Sequence, residues 1–273
     1  MAHLAAAEAS THGRASTSTR TSFAVRLWRQ LRLALHLLQG KATLLVIYPF
    51  CAQTTQLALR KRWSQRLLAI LGLKLQLDGA PIAPGAMLVA NHISWVDIFV
   101  INAVAPSAFV SKAEVRNWPI IGWLAARNDT IFLRRGSRGH ARIINAEIAA
   151  LLGAGRNVAI FPEGTTTDGR HVLHFHAALL QPAIACGHAV QPVALSYHTA
   201  DDRYSRAPAY DGDLTLGQCL ANILAERTLV ARVTAAPPIE TQDGLDRRSL
   251  AQQAREIIMH NIGCTDSSDQ PGT

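Results

Sequence analysis

The chain has 273 residues, 49% of them apolar, and a formal charge of +8 from 27 Lys and Arg against 19 Asp and Glu. The apolar share supports a sizeable core and excludes wholesale disorder, and the length allows one large domain or two small ones. Eleven basic residues and no acidic one lie between Arg14 and Lys74, leaving the remainder slightly acidic at 16 against 19, whereas a nucleic-acid binder would carry its positive field on the folded body.

Residues 1–22 are rich in Ala, Ser, Thr, Arg and His without apolar periodicity, which predicts a disordered tail. Apart from Glu8, that composition also fits a transit peptide. From Phe23 onward, Phe23, Leu27, Leu31, Ala34, Leu35 and Leu38 keep one helical face apolar, with Arg26, Arg29 and Arg32 elsewhere and Trp28 suited to headgroup level. Residues 42–59 carry no charge, and at about 1.5 Å per residue they would just reach across a bilayer core. Thr43, Gln53, Thr54, Thr55 and Gln56 dilute that stretch, and Pro49 is expected to kink it. Lys41 stands before it and Arg60, Lys61 and Arg62 follow, whereas a spanning helix prefers its basic residues on the cytoplasmic side. Flanks of one sign at both ends favour a membrane-binding helical arm over residues 23–70, lying in the cytoplasmic leaflet. Each Lys or Arg near an anionic surface adds about 1 kcal/mol to such binding. A single span, or packing of both helices on the soluble body, are the alternatives.

After Gly72 the period changes. Leu73-Lys74-Leu75-Gln76-Leu77-Asp78 alternates as a strand and stops at Gly79. Apolar runs at residues 86–90, 108–111, 130–133, 157–161, 190–197 and 228–234 are compatible with buried strands. Helical patterns fall near 95–105, 138–153, 174–187 and 215–226, and a last helix over about 246–262 opens on Asp246 or Ser249 and ends at Gly263. Strands alternating with helices predict an α/β domain over residues 71–263, its active groups gathered at strand ends. Residues 199–213, with Tyr204 and Tyr210, read as a long polar loop, and 264–273 as a frayed tail. Cys51, Cys186, Cys219 and Cys264 are too scattered for a disulfide framework or a zinc site, which fits a reducing, cytoplasmic setting.

Two segments carry chemistry. In Asn91-His92-Ile93-Ser94-Trp95-Val96-Asp97, a strand ends, His92 emerges at its tip, and Ser94 is placed to cap a helix beginning near Trp95. On one continuous helix His92 and Asp97 would sit about 140° apart. Across a strand-to-helix corner the carboxylate can turn back, hold one ring nitrogen and leave the other as a base. The competing reading is a capped helix with an incidental His. In Phe161-Pro162-Glu163-Gly164-Thr165-Thr166-Thr167-Asp168-Gly169-Arg170, Gly164 permits a tight turn that projects Glu163 and the hydroxyls above the sheet edge, or the segment is an ordinary polar turn. His171, His174 and His176 make a weak metal set without a further acidic or Cys partner beyond Asp168, and no metal site is expected.

Together these segments resemble the glycerolipid acyltransferase family typified by bacterial 1-acylglycerol-3-phosphate acyltransferases. Asn91 to Asp97 is similar to its His-four-residues-Asp signature, and Phe161-Pro162-Glu163-Gly164-Thr165 to its acceptor block. Ser111-Lys112-Ala113-Glu114, Trp118-Pro119-Ile120-Ile121-Gly122 and Ile131-Phe132-Leu133-Arg134-Arg135 resemble its second block, and Gln191-Pro192-Val193 its last. The resemblance covers about residues 70–235, and the basic arm resembles the family's membrane-binding helical pair. It implies a single mixed-sheet α/β acyltransferase domain. His92 would act as the general base and Asp97 would orient it, such a base being worth roughly 10²- to 10⁴-fold in rate. Lys112 and Arg134 or Arg135 would meet an anionic acceptor, Glu163 would bind the acceptor, and backbone N–H groups near Gly164 would supply the oxyanion donors. Acyl carrier protein or coenzyme A would bring the acyl group, the partners being membrane lipids at the cytoplasmic face of the inner membrane, with no other cofactor and no nucleic acid.

One departure is informative. Many phosphate-acceptor members have Arg directly after the Thr of the acceptor block, where this chain has Thr166. A hydroxyl cannot replace the bidentate charge of a guanidinium, although Arg170 is available on the same loop. The Thr-Thr-Asp-Gly extension resembles a branch that includes lyso-ornithine lipid acyltransferases. Lysophosphatidate is the leading acceptor and lyso-ornithine lipid the alternative. Readings from other classes are an idle lipid-binding protein and a hydrolase using Ser94, which lacks a nucleophile-elbow context.

Overall fold

A computed structural model describes residues 20–113, 116, 130–133, 138–241 and 245–264. Helix α1 spans Phe23–Ala42 and opens where the Ser22 hydroxyl accepts the Val25 N–H at 3.4 Å. The helical run continues through a π turn at Thr43–Ile47 and a 3₁₀ turn at Tyr48–Phe50, where Pro49 sits and the run stops. From Phe23 to Phe50 it is long and apolar enough to cross a membrane, by length and composition. The chain then reverses. The Gln56 amide donates to the Tyr48 and Cys51 carbonyls at 3.0 and 3.1 Å, and helix α2 follows over Gln53–Leu71. Gly72 ends α2 in the left-handed region at φ +85°.

The two helices have different fates. On α2, Leu67, Leu68 and Leu71 are fully buried in the core, each contributing about 1.5–3 kcal/mol. Arg60, expected to flank a membrane segment, is instead buried between α2 and the body, where its guanidinium donates to the Ser107 carbonyl at 3.2 Å. On α1, Phe23, Leu27, Leu31, Leu35 and Leu38 are each more than half exposed, so the predicted apolar stripe faces outward. Other faces of α1 hold it to the body. The Arg29 guanidinium donates to the Glu226 and Arg227 carbonyls, both at 2.8 Å, and the His36 ring stacks on Trp63 at 4.6 Å between centroids.

The strands are β1 (Leu73–Gly79), β2 (Met87–Ala90), β3 (Ser107–Lys112), β4 (Ile131–Leu133), β5 (Asn157–Ile160), β6 (Val190–Thr199) and β7 (Leu229–Ala235). Among the described residues they form one sheet in the order β1-β7-β6-β2-β5-β3-β4. Every neighbouring pair is parallel except β6 and β7, so the sheet is mixed. Period-two alternation in β2 sends Leu88 and Ala90 into one core and Met87 and Val89 into the other, which is why its sequence reads as a continuous apolar run. Helix α2, α3 (Asp97–Val104) and α6 (Leu216–Ala225) cover the first face, and α4 (Arg138–Gly153), α5 (Gln181–Cys186) and α7 (Arg247–Ile262) the second.

Caps explain several helix ends. Thr215 and Gln218 form a reciprocal capping box on α6, and the Asp246 carboxylate and Gly263 bracket α7 as expected. Two helices differ from the sequence reading. The pattern near 174–187 yields only a 3₁₀ turn at Ala177–Leu180 and the short α5, while residues 174–176 stay out of helical geometry and Phe175 enters the second core. Helix α3 starts at Asp97, later than Trp95, for a reason that belongs to the site.

Strands β2 and β5 are adjacent and parallel, so the loops after them leave at the same sheet edge. Their register pairs Val89 with Ile160, and continuing it sets His92 opposite Glu163. The two chemistry-bearing segments, 71 residues apart in sequence, are thereby brought face to face.

Candidate active site

The end of β2 is pinned first. The Asn91 amide donates to the Leu195 carbonyl at 3.0 Å and accepts the Leu195 N–H at 2.8 Å, tying the strand tip to β6. The next residue, His92, starts a tight corner closed by Asp97. One carboxylate oxygen of Asp97, Oδ2, takes Nδ1–H of His92 at 2.8 Å and the backbone N–H groups of Ile93 and Ser94 at 2.7 and 2.8 Å. The other, Oδ1, accepts the hydroxyl of Tyr197 at 2.5 Å. Asp97 is fully buried, and these four donors offset the cost of removing its charge from water. Asp97 thus holds the N–H groups of the corner itself, and the helix begins at the residue that closes it. The buried Ser94 hydroxyl accepts the Val96 N–H at 3.3 Å, in the last turn before the helix.

A carboxylate can only accept, so Nδ1 of His92 carries the proton and Nε2 presents its lone pair. The imidazole lies flat on Phe161, with 4.0 Å between centroids and 12° between planes, and its side chain is 20% exposed. No hydrogen bond engages Nε2 among the described residues. The ring is held on one face and one edge, with its basic nitrogen left over.

The second loop supports this arrangement from behind. Gly164 takes φ +69°, and its N–H closes a turn onto the Phe161 carbonyl at 3.1 Å, so that N–H is not free for an oxyanion. Glu163, expected to bind the acceptor, points inward. Its Oε1 accepts the His92 N–H at 2.7 Å and its Oε2 the Leu173 N–H at 2.8 Å. Burial pushes its pKa up to about 7, against the two N–H donors, which pull it down. The Thr167 N–H donates to the His92 carbonyl at 2.9 Å, so both peptide groups flanking His92 are held by the acceptor block.

Thr165 is exposed. Thr166 donates its hydroxyl to the Tyr210 carbonyl, and Tyr210 in turn donates its N–H to the Ile93 carbonyl at 2.9 Å. The long polar loop is therefore the clamp that ties the acceptor block to the His92 corner. Arg170 is exposed, and its guanidinium lies 5.3 Å from the Tyr204 ring centroid. His171 pairs with Asp168 at 3.1 Å, while the His174 and His176 rings meet edge to face at 6.4 Å. By strand register Lys112 ends β3 level with Pro162, on the same edge. Arg134 and Arg135 lie outside the described residues, as does the Trp118-Pro119-Ile120-Ile121-Gly122 run.

Sequence reasoning missed Asn91 and Tyr197. For Asn91 the signal was an amide directly after the last residue of a buried strand. For Tyr197 it was a hydroxyl in the alternation Val193, Leu195, Tyr197, which faces the first core.

Comparison with known proteins places this geometry. The family model described as Acyltransferase matches residues 75–196. The chain is 43% identical over 200 residues to a lyso-ornithine lipid O-acyltransferase of Pseudomonas aeruginosa, covering 73% of this chain and 76% of that protein. It is 35% identical over 244 residues to a 1-acyl-sn-glycerol-3-phosphate acyltransferase of Neisseria meningitidis, covering 89% and 95%. Its fold is similar to the crystal structure of the 1-acyl-sn-glycerophosphate acyltransferase PlsC of Thermotoga maritima. That match has a TM-score of 0.62 at 19% identity and covers 91% of this chain and all of that one. A mixed α/β sheet, a His–Asp pair at a strand end and relatives of this length agree, and the chain belongs to the acyltransferase family that acts on lipids.

Proposed function

We propose that this acyltransferase moves a fatty acyl group from acyl carrier protein or acyl-CoA to the free hydroxyl of 1-acyl-sn-glycerol 3-phosphate. The observation that carries the reaction is the His92 imidazole, fixed at Nδ1 by Asp97 and open at Nε2. Nε2 takes the acceptor's hydroxyl proton as the oxygen attacks the thioester carbonyl carbon. Asp97 stabilises the imidazolium that results. Collapse of the tetrahedral intermediate breaks the C–S bond, and the departing thiolate takes that proton, so ester and thiol leave and His92 is neutral again.

The acyltransferase of Neisseria meningitidis, aligned over 95% of its length, supports lysophosphatidate as the acceptor. A second reading, lyso-ornithine lipid, is favoured by Thr166. It stands where a phosphate-binding Arg would be expected, and its hydroxyl is spent on Tyr210. The reaction takes place at the cytoplasmic face of the inner membrane, where anionic lipids attract the basic arm. The outward apolar face of α1 supports the attachment.

The test is acyl transfer by purified protein from a labelled thioester to a lysolipid panel. Product with lysophosphatidate that disappears in His92→Ala is expected. Product with lyso-ornithine lipid alone would replace the acceptor, and equal turnover by the variant would remove the base.

A further inference from the structure

We propose that Tyr197 is a positioning residue for acyl transfer, its phenol clamping the catalytic carboxylate from a strand outside the His–Asp motif. The inference rests on reading His92 as the base. Strand β6 pairs with β2 only as far as Val193, then overhangs the edge where the His92 corner forms. Tyr197 lies on that overhang, among the largest fully buried side chains, and donates to Asp97 Oδ1 at 2.5 Å.

The division of labour on Asp97 gives the phenol its role. Oδ2 serves His92 and two backbone N–H groups, all within the corner itself. Those three donors converge on one oxygen and leave rotation of the carboxylate plane weakly fixed. A donor on the second oxygen, from a different element, fixes the plane and with it the direction of the bond to Nδ1. The same donation spreads the carboxylate's charge and so tempers how strongly Asp97 stabilises a second proton on His92. Burial, and then the neighbouring Asp97 charge, hold the Tyr197 pKa well above its usual range, so it stays a neutral donor. Among the described residues, the other titratable groups around the pair are His92 and Glu163 from the two strand-end loops, and Cys219 from α6.

The experiment compares the full-length wild type with Tyr197→Phe, which keeps the ring and removes the hydroxyl. Loss of one hydrogen bond to a charged group is expected to lower kcat on the order of 10-fold while KM for the acceptor changes little. The less compensated carboxylate should hold the imidazolium more strongly, moving the acid limb of the kcat/KM profile up by roughly half a pH unit. Val233→Ala, in the core on β7, is the control for packing alone: a lower Tm with an unshifted limb. Titration of the His92 ring by NMR of labelled histidine, assigned with His92→Ala, reads the same shift without turnover. Failure of the wild type on every lysolipid would refute the base, and the His92 titration would still decide the clamp. Coincident titration curves in wild type and Tyr197→Phe overturn it. Should Tyr197→Phe fail to fold, 3-fluorotyrosine at position 197, a stronger donor, should move the His92 titration downward, and no movement would be equally fatal.

Discussion

The carboxylate of Glu163 accepts the backbone N–H of His92 at 2.7 Å, so an acid from one strand-end loop fixes the peptide from which the other loop's imidazole hangs. Strand register makes this meeting unavoidable, because β2 and β5 run parallel and in step. Both carboxylate oxygens of Glu163 are engaged in this way, the second by the Leu173 N–H at 2.8 Å.

That burial has a pH signature. Glu163 titrates near 7 in the folded chain against a reference of 4.5, with burial as the leading cause. A raised carboxyl contributes stability that is complete below the unfolded pKa and is lost as pH rises through the folded one. The stability of wild type relative to Glu163→Gln is therefore expected to fall by on the order of 2–3 kcal/mol between pH 5 and pH 8. Urea unfolding at a series of pH values measures it. A difference that stays flat would mean the carboxylate remains ionised throughout.

Asp97→Asn replaces a group that accepts four hydrogen bonds with one that accepts at a single oxygen. The amide nitrogen must then face at least one of the donors, and the Nδ1–H tautomer of His92 loses its anchor. The expected loss in kcat is roughly 10²- to 10⁴-fold with KM little changed, and the stability cost is about 1–3 kcal/mol. Because the two residues act as a unit, His92→Ala with Asp97→Asn should be scarcely slower than His92→Ala alone. Additive losses in that double variant would separate the pair.

The outward face of α1 offers a test of membrane attachment that spares the fold. Leu27, Leu31 and Leu35 are each more than half exposed, so replacing all three by Gln should leave the unfolding midpoint in place. Binding to vesicles containing anionic lipid should weaken on the order of 100-fold or more in a sedimentation assay. Deleting residues 1–62 would be a poorer experiment, since it cuts α2 and removes the buried Arg60. Unchanged vesicle binding by the triple variant would move the attachment elsewhere.

Much of this was legible in the sequence, because it is local. The alternation of Leu73 to Asp78, the run at 86–90, the helix over 138–153 and the caps at Asp246 and Gly263 all follow from periodicity and from what a helix end needs. The His92–Asp97 pair was legible too, as a short corner that a carboxylate can close. Less was visible where a residue's partner is remote. Arg60 reads as one of three basic flanking residues, yet it alone is buried against Ser107. Residues 174–176 open the helical pattern read over 174–187, but sending Phe175 into the second core outweighs it.

The sequence by itself marked the candidate base and its carboxylate, since His92, Asp97 and the turn between them lie within six consecutive positions. Only the tertiary structure decided that Glu163 faces inward, that Thr166 is held by Tyr210, and that Tyr197 reaches Asp97 across 100 residues. The physical reason is strand order. A hydrogen bond between loops depends on which strands lie side by side and in what register, and that is settled by burial of both sheet faces rather than by any local pattern.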